Sequence, residues 1–258
     1  MGKYFQVEVK PVIDVAALAA GNITEGEVLF DWASFDIPKG AAKLIGITAL
    51  YRGKNGADYT PTDFELFFAK GEKHPNSTGV LTPITLGDDG ADADTPGWFH
   101  LIQGRAYVDS TNQANDIDLI YGNVISISPG GATAASNSEN HGLVLQGEPD
   151  SGTNVGYDKL YVSAIAQGTH NWGASTMTID TPIPATDRAT ITVADLDALI
   201  SVGPGDVLRD EDNLSIGTIK TVNSATAITL EANSASAPAE NKLVYNTTPI
   251  TLILSFEK

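Results

Sequence analysis

Asp63-Phe64-Glu65-Leu66-Phe67-Phe68 decides the fold class. Side chains alternate along a strand, so Phe64, Leu66 and Phe68 share one face while Glu65 and Phe67 share the other, the geometry of a strand half-buried in a sandwich. The same kind of signal recurs at residues 4–9, 27–32, 43–52, 98–108, 117–128, 142–146 and 157–166, each bounded by Gly, Pro, Asn or Asp. Pro38-Lys39-Gly40, Gly53-Lys54-Asn55-Gly56 and Ser128-Pro129-Gly130-Gly131 read as turns. Among the 258 residues are 25 Gly and 13 Pro, and Asp outnumbers Glu, a balance that favours turns over helices. The expectation is an all-β protein, an antiparallel β-sandwich (jelly-roll-like) with a second small β module.

The second module begins where the texture changes. From Gly173 the strands become short and rich in Thr, Ala and Ser, at residues 176–181, 189–193, 215–222 and 227–231. Between them Thr192-Val193-Ala194-Asp195 reads as a capping box that opens a helix through Leu196, Leu199 and Ile200. A small polar linker at 232–239 follows. The closing Pro249-Ile250-Thr251-Leu252-Ile253-Leu254-Ser255-Phe256 is apolar on both faces apart from Thr and Ser, which suits the middle of a large sheet. Residues 1–172 plus 244–258 are therefore expected to form the sandwich, with 173–243 inserted before its last strand. Two domains in series is the alternative.

Composition excludes several functions. With no Cys there is no thiolate zinc site, cysteine nucleophile or disulfide scaffold. A formal net charge of −17 repels phosphates, so no nucleic-acid partner is expected. No run of about 18 apolar residues is present, so no membrane span is expected. The apolar stretch 12–20 ends in Ala17-Leu18-Ala19-Ala20 like a leader cleavage site, but Asp14 interrupts it and a strand pattern precedes it.

Enzyme motifs are missing. The chain has no phosphate loop, dinucleotide fingerprint, nucleophile elbow or zinc-protease helix, and His74, His100, His141 and His170 are spread singly. No catalytic residue, metal ligand or cofactor is expected. Asp88-Asp89-Gly90-Ala91-Asp92-Ala93-Asp94 and Asp210-Glu211-Asp212-Asn213 offer hard oxygen ligands of the kind calcium takes, yet neither follows the calcium-loop order, and solvated acidic loops are the competing reading. Between Lys73 and Lys159 only Arg105 offsets eleven acidic residues, which concentrates negative charge on one part of the surface. Trp32 and Trp98 lie in apolar strand patterns and read as core. Trp172, beside His170 and Gly173 at the junction of the two modules, is expected to be partly exposed. In residues 1–10, two Lys against one Glu make a slightly basic stretch with alternating Phe5, Val7 and Val9. That segment reads either as an arm adding a strand to a neighbour or as the first strand of its own sandwich.

Phe30-Asp31-Trp32, Ile37-Pro38-Lys39-Gly40, Lys43-Leu44-Ile45-Gly46-Ile47 and the Asp63 to Lys70 run resemble virion structural proteins of tailed bacteriophages, the marine and cyanobacterial ones above all. Gly142-Leu143-Val144-Leu145-Gln146-Gly147-Glu148-Pro149, Tyr157-Asp158-Lys159-Leu160-Tyr161-Val162 and the closing strand have the same look. Val202-Gly203-Pro204-Gly205-Asp206-Val207-Leu208 and the strands after it are similar to short β modules of phage head and baseplate proteins. The resemblance implies a capsid decoration (cement) protein on the outside of the head. Its expected partners are the major capsid protein and copies of itself, as a trimer, and its expected place is the virion, assembled in the host cytoplasm. Tyr4, Phe5, Val7 and Trp172 are the candidate capsid or oligomer contacts. A fibre or surface adhesin that binds carbohydrate is the alternative function.

Overall fold

The computed structural model describes residues 3–53, 62–70, 102–109, 119–129, 143–149, 156–172, 177–181, 189–194, 201–234, 236 and 238–258. They are nearly all β. One antiparallel sheet holds β1 (Tyr4–Val9), β2 (Val28–Pro38), β3 (Ala42–Arg52), β4 (Phe64–Ala69), β5 (Ile102–Asp109), β6 (Leu119–Pro129), β7 (Leu143–Leu145), β8 (Glu148–Pro149), β9 (Tyr157–Ala166) and β16 (Ile250–Glu257). Its order is β1-β16-β3-β6-β5-β4-β9-β2, with β7 beside β3 and β8 beside β9. The sheet folds back on itself to give a sandwich-like fold. Phe35 of β2 and Phe256 of β16, from opposite ends of that order, bring their ring centroids to 6.3 Å, and Tyr51 of β3 meets Phe64 of β4 edge-on at 6.1 Å. Phe30, Leu44, Tyr51, Phe64, Phe68 and Phe256 are fully buried in this core.

β16 shows why alternation selects the centre of the sheet. Ile250, Leu252, Leu254 and Phe256 point into the core, and Thr251, Ile253, Ser255 and Glu257 point outward. The strand pairs with β1 on one side and β3 on the other. β4 departs from the half-buried expectation, since all six of its residues are buried. On its outer face Phe67 packs with Val28, Trp32 and Ile165, and Glu65 sits 3.1 Å from Arg105. Burial pushes the Glu65 carboxyl up, and the Arg105 charge offsets only part of that.

The second sheet runs β10 (Thr178–Ile179), β11 (Thr190–Ala194), β14 (Ala227–Leu230), β13 (Ser215–Ser224), β12 (Val207–Asp210) and β15 (Val244–Asn246). It closes on itself, because Thr178 bridges to Leu243 and backbone bonds join Val244 N to Met177 O at 2.8 Å and Asn241 N to Ile179 O at 2.8 Å. The result is a small barrel with its own core of Ile191, Val193, Leu208, Ile216, Ile228 and Val244. Closure removes the edges that six short strands would otherwise expose.

Three details differ from the sequence reading. Residues 244–246 belong to the barrel, where β15 pairs with β12, so the boundary expected at 243/244 falls one strand early. Alternation along β15 places Val244 in the barrel core and Tyr245 in the sandwich core, which makes the strand a shared wall. Thr192 is not a helix cap, because it lies inside β11 opposite Ala227 while Ile191 and Val193 fill the barrel, and the helix expected through Leu196, Leu199 and Ile200 lies outside the described residues. β-branched residues at 190–193 favour the strand. The apolar stretch at 12–20 contains α1 (Val15–Ala20), capped by Asp14, whose side chain accepts the Ala16 N–H at 2.7 Å, and ended by Gly21 at φ 84°. Val15 and Leu18 anchor it in the sandwich core. Among the described residues no helix is long and apolar enough to cross a membrane.

One carboxylate ties barrel to sandwich. Asp206, fully buried, accepts from Lys10 Nζ at 2.9 Å, Arg52 Nε at 2.9 Å, the Gly203 N–H at 2.8 Å and Asn246 Nδ2 at 3.0 Å. Lys10 follows β1 and Arg52 ends β3, so the clamp sits at one end of the large sheet. Truncating one member of a buried charge cluster leaves the others unpaired, at a cost of about 3–5 kcal/mol. Asp206→Ala is expected to lower the melting temperature and to split one unfolding transition into two in calorimetry. An unchanged single transition would show that the clamp carries no coupling.

Candidate functional site

Among the described residues β1 ends the strand order of the large sheet at one side, as β2 does at the other, and is paired on one side only. Lys3 and Lys258 exchange both backbone bonds, at 3.0 and 2.9 Å, and the register continues as Phe5↔Phe256 and Val7↔Leu254. Bonded and non-bonded positions alternate in an antiparallel ladder. The odd residues therefore hold β16, and Tyr4, Gln6 and Glu8 turn their N–H and C=O groups to the other side, where no strand pairs with them among the described residues. Their side chains are exposed on the outer face, Tyr4 at 70%. Phe5 and Val7 point towards the core but are only half-buried, with Phe5 stacked on Phe256 at 5.2 Å and 13°.

The middle of the outer face beside this edge carries no charged side chain. Ile45, Thr48 and Leu50 of β3 lie next to Thr251, Ile253 and Ser255 of β16, all half-buried. Tyr4, Phe5, Gln6, Ile45, Ser255 and Phe256 line an open-sided depression of about 520 Å³. A bulge between Ser255 and Phe256 turns Ile45 outward into it. Gln6 Nε2 donates to Ser255 Oγ at 3.2 Å and the Tyr4 hydroxyl to Glu257 Oε1 at 3.4 Å, so the exposed side chains are held across the strand pair.

Charge is segregated in the same pattern. Residues 3–10, 42–52 and 250–258 carry Lys3, Lys10, Lys43, Arg52 and Lys258 against Glu8 and Glu257, a net +3. The rest of the chain carries −20 towards the total of −17. Two copies of a chain of net charge −17 repel at long range, and the segments that form this face are among the few that do not add to that charge.

Tyr4, Phe5 and Val7 thus lie together on β1, and Trp172 lies elsewhere. Trp172 is buried in the sandwich core, not exposed at the junction. His170 fixes it there: its backbone bonds to Ile23 in both directions at 2.8 and 2.9 Å, its Nε2 lies 3.0 Å from Asp63 O, and its ring stacks on Trp172 at 5.7 Å. The other expected functional features divide in two. Asp88–Asp94 and His74, His100 and His141 lie outside the described residues, as does Trp98. In the second acidic cluster, Asp210 is buried and accepts the N–H groups of Asp212 and Leu214 at 3.1 and 2.8 Å, which organises the turn, and Lys242 pairs with Glu211 at 2.8 Å and Asp212 at 3.0 Å. Its carboxylates are committed to the turn and to Lys242. Among the described residues no group of three His, Asp or Glu could hold a metal.

No protein-family model matches the chain, and no curated protein matches it.

Burial lowers the His170 pKa to about 4, against 6.5 for the model imidazole. The unfolded chain binds this proton below pH 6.5 and the folded chain resists it until about pH 4, so stability present above pH 6.5 is lost as the pH falls through that window. The loss should reach about 3 kcal/mol. Comparing urea midpoints of wild type and His170→Phe at each pH isolates the effect from Glu65, which titrates in both. Wild type should lose midpoint relative to His170→Phe as the pH falls from 7 to 4; a constant difference over that range would contradict it.

Proposed function

We propose that the chain is a non-enzymatic virion structural protein, a decoration protein that binds the major capsid protein on the outside of a tailed-phage head and stabilises the shell. The observation that carries this reading is the face of β1, β16 and β3, with Ile, Leu, Thr and Ser in its middle and charges only at its margins, on an otherwise strongly acidic chain. A protein with one face fit for a dry contact and an acidic remainder turned to solvent suits permanent attachment on one side only. Phosphate-rich partners are disfavoured by the same charge. The sequence likeness to tailed-phage virion proteins supplies the identity of the surface it covers. The docking contact is made by the face as a whole, with Tyr4 at its rim and Ile45, Leu50 and Ile253 in its middle. An adhesin that stacks sugar rings on exposed aromatics would have no use of Trp172, which is buried in the sandwich core.

Mass spectrometry of purified particles of the phage that encodes the chain should find it at a copy number comparable with the capsid subunit. Purified heads stripped of the chain should rebind it. Ile253→Glu, which places a charge on the outward side of β16, should weaken rebinding at least about tenfold while the melting temperature changes little, since a charge desolvated in a contact without a partner is costly. Absence of the chain from the particles would overturn the proposal.

A further inference from the structure

We propose that β1 pairs antiparallel with β1 of a second copy, across a two-fold axis at Gln6, so that two sandwiches share one continuous sheet. The unpaired edge and the register it allows carry it. The edge groups left without a strand partner among the described residues belong to Tyr4, Gln6 and Glu8, as the ladder with β16 dictates. In an antiparallel pair, outward-facing residues bond only to outward-facing residues. The one register that uses all three sets Gln6 opposite Gln6 and Tyr4 opposite Glu8, and it makes about six hydrogen bonds.

That register is also chemically self-consistent. On the outer face Tyr4 meets Glu8 of the second copy, and no like charges stand opposite each other. On the inner face Phe5 meets Val7, the two side chains that point to the core yet are left half-buried by their place at the edge. An added strand covers both. Two copies of a chain of net charge −17 repel each other overall, and the paired strands themselves set only Tyr4 against Glu8 and Gln6 against Gln6. β2 approaches β1 at the corner of the sandwich without pairing with it. The competing occupant of the edge is therefore β2 of the same chain, which would keep the protein monomeric.

The pairing lies in the plane of the sheet and the docking face is perpendicular to it, so the two contacts do not compete. Joining two sheets doubles the docking face, and linked weak contacts gain through effective concentration. A two-fold contact of this length is small beside a standard interface and should dissociate readily in solution. The inference concerns the purified chain and is tested without any shell, so its outcome is separate from that of the docking proposal.

The experiment combines sedimentation and crosslinking on the full chain. Sedimentation velocity over about 1–500 µM spans the range in which contacts this small dissociate, and the mass should rise from one chain to two. Gln6→Lys sets like charges against each other at the axis and should lower association at least about tenfold, and Gln6→Pro, which removes an outward N–H that an edge strand does not need for its own ladder, should do the same. Both should melt close to wild type. Deleting residues 1–10 is a poorer test because it also takes Lys10 from Asp206. The chain has no Cys, so Gln6→Cys gives a single thiol. Bonded antiparallel partners stand about 5.5 Å apart at Cα, within disulfide reach, so mild oxidation should give a covalent dimer far faster than it does for Lys220→Cys, exposed on β13. A mass that stays at one chain, a mass of three chains, association untouched by Gln6→Lys, or equal crosslinking at positions 6 and 220 would each overturn the two-fold pairing.

Discussion

The buried carboxylate of Asp206 is the interaction on which the arrangement of the two units depends. A carboxylate withdrawn from water needs several donors, and here they come from both units: Lys10 and Arg52 at one end of the large sheet, and Gly203 and Asn246 within the barrel. Gly203 is part of the same requirement, since a Cβ built on it would lie 2.2 Å from the Arg52 guanidinium. The turn Gly203-Pro204-Gly205 lets the chain pass close enough for the side chains to meet, with Gly205 at φ 81°. Lys10 also donates to Pro204 O at 2.9 Å. Two cations are thereby committed to the clamp at the end of the sheet, and the middle of the outer face is left with Ile, Leu, Thr and Ser.

From this follows a division of labour among surfaces. The barrel shares β15 with the sandwich through Tyr245 and returns the chain to β16, which takes the centre of β1-β16-β3. Those strands have a net positive balance in a chain that is otherwise heavily acidic. Apolar and hydroxyl side chains on a regular sheet make a flat surface that can be dried at small cost. The acidic remainder supplies solubility and repulsion. Attachment on one side and repulsion on the others is what the proposed decoration role asks of these surfaces.

Much of this was legible in sequence wherever alternation alone decides. β1 and β9 span the residues that the pattern of Tyr4 to Val9 and Tyr157 to Ala166 marks, and the two apolar faces of 250–256 read as a central strand because both sides of such a strand are covered. Long-range partners defeat the same reasoning. Trp172 reads as exposed next to Gly173, but the backbone bonds of His170 to Ile23, about 150 positions earlier, draw it into the core. Thr192 fits a local capping pattern, yet the barrel core needs Ile191 and Val193, and packing keeps Thr192 in β11. Glu65 looks solvent-facing until Arg105 of the adjoining strand is placed beside it. Of the candidate site, Tyr4, Phe5 and Val7 were visible as one stripe, whereas Ile45, Leu50 and Ile253 became a face only once β16 was set between β1 and β3. Asp206 carried no local mark beyond the glycines before it.

Crosslinking of intact particles with an amine-reactive reagent, read by mass spectrometry, tests the docking face most directly. Lys3, Lys43 and Lys258 border it, and Lys220 lies exposed on the barrel. Links from this chain to the capsid subunit should come from Lys3, Lys43 and Lys258 and be sparse at Lys220. Links concentrated at Lys220, with none from the three lysines beside the face, would contradict the account.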